Sequence, residues 1–73
     1  MATLGKRIKE LREHKNLTQR ELAEIMGYKT TRSVQFLEAD QRSLDHYQLI
    51  YLADFFDVSL DYLVGRSDDT RRR

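Results

Sequence analysis

Few side chains in this sequence stand at spacings that chemistry requires. Ser43, Asp45 and His46 supply a nucleophile, an acid and a base by type. Residues so near one another at a helix start do not aim at one reacting centre, so no catalytic role is expected of them. His14 and His46 lack metal-ligand spacing and there is no cysteine, so neither a metal nor a cofactor is expected. Recognition chemistry has better material between positions 31 and 36. Arg32 carries paired donors that match guanine O6 and N7, a pairing worth about 1–3 kcal/mol of discrimination. Gln35 can pair adenine through both amide atoms or can touch a phosphate, and these readings stand level. Thr31 suits a helix cap or a phosphate contact better than a base edge.

Such side chains act only if helices hold them, and the apolar spacing predicts an all-α domain of five short helices over residues 1–66. Leu4, Ile8 and Leu11 recur at helical spacing in a first helix from about Thr3 to His14, with Asn16 as the break. Thr18 and Glu21 form a capping-box pattern that starts a second helix, and Gly27 stands where a left-handed cap would end it. Thr30 or Thr31 then caps a third helix to about Ala39. Asp45 caps a fourth that runs to about Phe56, and a short fifth is closed by Gly65. The expected core is Leu4, Ile8, Leu11, Leu22, Ala23, Met26, Val34, Leu37, Leu49, Leu52, Ala53, Phe56, Leu60 and Leu63. Residues 67–73 hold no apolar side chain and are expected to form a disordered tail.

At 73 residues, with 40% apolar and 34% charged side chains, the chain can support one small core. The lack of cysteine removes disulfide staples and suits a reducing cytoplasm. No apolar run approaches the roughly 20 residues that span a bilayer, so no membrane partner is expected. The net charge of +1 conceals a division along the chain. Residues 1–42 hold nine Lys/Arg against six acids, whereas residues 43–67 hold Arg66 against Asp45, Asp54, Asp57 and Asp61. The first half suits an anionic polymer and the second would repel one.

Helices two and three, joined by a tight turn that contains glycine, have the helix-turn-helix arrangement, with Thr31, Arg32 and Gln35 on the exposed face of the second. The segments Ile8-Lys9-Glu10-Leu11-Arg12, Leu17-Thr18-Gln19-Arg20-Glu21-Leu22-Ala23 and Val34-Gln35-Phe36-Leu37-Glu38 resemble the Cro/phage-repressor, or XRE-type, helix-turn-helix family. The likeness continues through Leu49–Ala53 and Val58-Ser59-Leu60-Asp61-Tyr62-Leu63-Val64-Gly65, covering about residues 4–65. It implies a lambda-repressor-like fold and a sequence-specific regulator of transcription, usually a homodimer on a palindromic operator in double-stranded DNA. By position it implies base reading by Thr31, Arg32 and Phe36, with Ser33 and Gln35 nearby for bases or phosphates. It also implies a phosphate clamp at Gln19 and a buried ion pair between Arg12 and Glu38. A helix N-terminus already favours an anion beside Gln19. From charge, Lys6, Arg7, Lys15, Lys29 and Arg42 are the further candidates for phosphate contacts.

The chain departs from the family pattern in three places. The interval from Gly27 to Glu38 is one residue longer than usual, which predicts a remodelled turn around Tyr28-Lys29-Thr30. Phe36 replaces a polar reader and either touches a thymine methyl or packs inward. Asp40 and Leu44 stand where glycine and proline are usual.

Helix four carries a second message. Leu44, Tyr47, Tyr51 and Phe55 cluster within about 80° of arc, opposite the stripe formed by Leu49, Leu52, Ala53 and Phe56. Two apolar faces on one helix predict a subunit interface, with Tyr62 contributing, or else packing within the domain. The alternative function of a different class is a protein-interaction module, of antitoxin or anti-repressor type, that uses this aromatic face.

Overall fold

Four of the five helices start where a short polar side chain, Thr3, Thr18, Asp45 or Ser59, satisfies a first-turn amide that has no partner within the helix. In the computed structural model, which describes residues 2–71, helix α1 is Leu4–His14, α2 Gln19–Met26, α3 Arg32–Glu38, α4 His46–Phe56 and α5 Leu60–Leu63. The hydroxyl of Thr3 accepts from Lys6 N and opens α1. Thr18 and Glu21 bond reciprocally at the start of α2, and Asp45 with Gln48 repeats that device at α4. Thr31 occupies the cap position of α3 but makes no capping bond, because its backbone is already helical. No strand occurs among the described residues.

The helix ends rely on left-handed backbone, supplied by Gly27 and Gly65 but also by Asn16, Asp40 and Asp57. An aspartate in that conformation carries a steric cost that glycine avoids. Asp40 offsets it through its carboxylate. Oδ2 accepts from the Thr3 hydroxyl at 2.6 Å and Oδ1 from the Gly5 amide at 2.9 Å. This carboxylate lies at the positive end of α1, whose own first turn has no acid. One residue therefore both ends α3 and caps α1, which glycine could not do.

Helix α1 packs against α3 and α5, α2 against α3, and α4 against α5. The shared core is Ile8, Leu22, Ala23, Val34, Leu37, Leu52, Ala53, Phe56, Val58 and Leu63. Leu4, Leu11, Met26 and Leu49, expected in the core, lie partly buried at its margin. Leu60, also expected there, is exposed. It is the first residue of a four-residue helix, and the preceding Val58 fills the core in its place.

The expected tail has bonding partners in the structure. Ser59 donates its amide to the Thr70 carbonyl and its hydroxyl to the Asp69 carbonyl, and Arg7 donates to Asp68. Arg72 and Arg73 lie outside the described residues.

The approach of α1 to the end of α3 is so close that a side chain at Gly5 would not fit. A Cβ there would stand 2.6 Å from the carbonyl oxygens of both Leu37 and Glu38. Gly5→Ala is expected to cost about 1–3 kcal/mol of stability through overpacking. Urea denaturation checks this, and an unchanged midpoint would show that the two helix ends can separate without loss.

Candidate nucleic-acid interface

A charge network beneath α3 ties it to α1 and α2. Arg12 Nε donates to Glu38 Oε2 at 2.6 Å and Nη2 to Oε1 at 3.3 Å, while Nη1 reaches the Leu17 carbonyl at 2.7 Å. The two side chains are only 10% and 5% exposed, so the pair has little access to water. Gln19 Nε2 donates to Glu38 Oε1 at 3.0 Å, which ties the first turn of α2 to the last turn of α3. Gln35 Nε2 approaches Gln19 Oε1 at 3.5 Å, a long and weak hydrogen bond. Four residues from α1, α2 and α3 thus share one polar joint.

Above this joint α3 divides cleanly. Val34 and Leu37 are fully buried, whereas Arg32, Gln35 and Phe36 are exposed and Thr31 and Ser33 are half-buried. Phe36, for which inward packing was one reading, is 43% exposed. Its neighbours explain this: with 100° per residue, positions 34 and 37 take the inner face and leave 32, 35 and 36 outside.

The candidate phosphate contacts are less uniform. Lys6, Lys15, Lys29 and Arg42 are exposed, with Arg42 over the ring of Tyr28 at 4.7 Å and Lys15 over Phe55 at 5.5 Å. Gln19 is half-buried, and its bond to Glu38 leaves one amide hydrogen for an external acceptor. Arg7 does not fit the expectation. It is buried, lies over the Tyr62 ring at 3.9 Å and donates to Asp68 at 2.6 Å. Burial opposes the charge, but the hydrogen bonds and charges of Asp68 and Tyr62 outweigh it and hold the guanidinium above its ordinary pKa. Arg7 is a structural cation facing α5, not an outward contact.

The aromatic face of α4 also divides. Tyr47 and Tyr51 are 73% and 51% exposed, with the Tyr51 hydroxyl donating to the Ile25 carbonyl at 3.3 Å. Leu44, Phe55 and Tyr62 pack against the core instead. Phe55 meets Phe56 edge to face with centroids 5.1 Å apart, and Tyr62 lies beneath Arg7. Ile50, which helical spacing assigned to neither face, is exposed. Gly5 and Asp40 were missed as the residues that seat α3 on α1; an acid in place of glycine was the available signal for the second.

Residues 8–63 match the family model described as helix-turn-helix. The chain belongs to the XRE-type helix-turn-helix family. It is 34% identical over 70 residues to the HTH-type transcriptional regulator ImmR of Bacillus subtilis (strain 168), covering 96% of this chain and 54% of that protein. It is 36% identical over 63 residues to the uncharacterized HTH-type transcriptional regulator YobD of the same organism, covering 86% of this chain and 55% of YobD. A crystal structure of a transcriptional regulator from Listeria innocua superposes with a TM-score of 0.79 at 28% identity, covering 86% of this chain and 58% of that one. The chain therefore spans just over half the length of the relatives it matches. Among the described residues no helix is long and apolar enough to cross a membrane.

The polar joint makes a sharp demand on stability. Arg12→Met leaves the Glu38 carboxylate buried without its countercharge and is expected to cost about 3–5 kcal/mol. Combining it with Glu38→Leu should recover much of the loss. Thermal melts of the two variants check this, and equal losses in the single and double variants would show that an uncompensated Glu38 charge is not the source of the loss.

Proposed function

We propose that the chain is the sequence-specific DNA-binding domain of a cytoplasmic transcriptional repressor that acts as a homodimer on a palindromic operator. Residues 31–39 enter the major groove, with Arg32 taking guanine and Gln35 and Phe36 reading beside it. The observation that carries this reading is the division of α3: its apolar residues are fully buried while Arg32, Gln35 and Phe36 face outward over a fixed polar joint. Membership of a helix-turn-helix family supports it. Phosphate contacts fall to Lys6, Lys15, Lys29, Arg42 and the remaining amide hydrogen of Gln19, with Thr31 and Ser33 at the edge of the reading face. In a twofold dimer the two copies of α3 would lie about 34–36 Å apart, one turn of duplex.

Exposed Tyr47 and Tyr51 favour a second reading, a protein-interaction surface on α4. Salt separates the two. DNA binding should weaken with a log–log slope near −0.9 for each phosphate neutralised, whereas aromatic docking should be nearly indifferent to salt.

Arg32→Ala is expected to lose about 1–3 kcal/mol of preference at one base pair and to leave the others intact. Selection from random duplex DNA with both proteins measures this. An unchanged binding profile would remove Arg32 from the set of readers.

A further inference from the structure

Phe36 is the one large exposed hydrophobic residue on α3; Tyr47, Ile50, Tyr51 and Leu60 lie on α4 and α5. No ring or cation is stacked on it among the described residues, unlike Tyr28, Phe55 and Tyr62, each of which has a cation over its face. It stands one helical turn after Arg32 and beside Gln35, so an apolar disc projects from a surface otherwise built of hydrogen-bond donors and acceptors.

A phenyl ring has no donor or acceptor with which to read a base edge. The apolar feature that the major groove offers is the methyl group on C5 of thymine, and a phenyl ring is one of the groups that can cover it. Against a purine the same ring would strip water from N7 and O6 or N6 without replacing a hydrogen bond, which disfavours that base. The chemistry of the residue thus selects the base. Position follows from helix rise: four residues advance about 6 Å, close to two base-pair steps of about 3.4 Å.

We propose that Phe36 covers the 5-methyl group of a pyrimidine, thymine in unmodified DNA, within two base pairs of the guanine taken by Arg32. This rests on the DNA-binding reading above and adds the chemical group recognised. A 5-methylcytosine at the same step presents the same methyl group.

The test begins with duplexes enriched from a random pool by the whole chain. Enriched sites should share a thymine near the guanine whose preference is lost in Arg32→Ala. Replacing that thymine by uracil, which removes only the methyl group, should weaken binding about fourfold, the worth of one buried methyl-sized group. With cytosine placed at the same step, 5-methylation should tighten binding by a similar factor. In Phe36→Ala both effects should vanish, and in Phe36→Leu part of each should remain; circular dichroism verifies that both variants fold. If the wild-type chain binds thymine and uracil sites equally, or if Phe36→Ala keeps the difference, the methyl assignment fails and DNA binding stands. If no duplex is enriched, the DNA-binding reading fails and the methyl assignment falls with it.

Discussion

The ion pair between Arg12 and Glu38 is the constraint on which the rest of the candidate interface depends. Two charges withdrawn from water are costly unless each is satisfied, and here the guanidinium also holds the Leu17 carbonyl while the carboxylate also accepts from Gln19. Because these partners come from three helices and the turn between α1 and α2, the pair is complete only when all of them are in place. The apolar contacts of Val34 and Leu37 hold α3 against the domain and set which of its faces turns inward. The directional bonds to Glu38 add a tie between the last turn of α3 and helices α1 and α2, beneath the face that carries Arg32, Gln35 and Phe36.

A second constraint operates at the opposite edge of the same helix. Gly5 lets α1 come up against the last carbonyls of α3, and Asp40 bonds back to Thr3 and Gly5. A glycine at position 40 would close α3 with less strain but would leave the start of α1 without an acid. The substitution exchanges backbone ease for a long-range cap.

Local chemistry was the legible part. Thr18 with Glu21, Asp45, Gly27, Asn16 and Gly65 marked helix ends through interactions within a few residues, and the apolar stripes identified most of the core. Thr31 does not cap because its own backbone is already helical, which the residue type alone does not reveal. What the sequence could not convey was which neighbour covers an outward side chain. Arg7 and Arg12 lie five positions apart on α1 in similar surroundings of charge, yet α5 and Asp68 enclose one while Glu38 enclosed the other as expected. Likewise, the arc of Leu44, Tyr47, Tyr51 and Phe55 was visible as apolar, but only the fold shows that its ends pack inward and its middle does not. Val58 displaced Leu60 from the core for a similar reason, since the placement of a four-residue helix is decided by its neighbours.

The seclusion of the Arg12–Glu38 joint divides the molecule into parts that respond differently to ionic strength. Dissolved ions screen charges that face water far better than charges that do not. A rise in salt that competes a polyanion away from Lys6, Lys15, Lys29 and Arg42 therefore leaves the inner lock of α3 almost untouched. Release from a duplex on the proposed reading requires no loosening of the fold, and the freed protein keeps its reading edge already shaped for the next encounter.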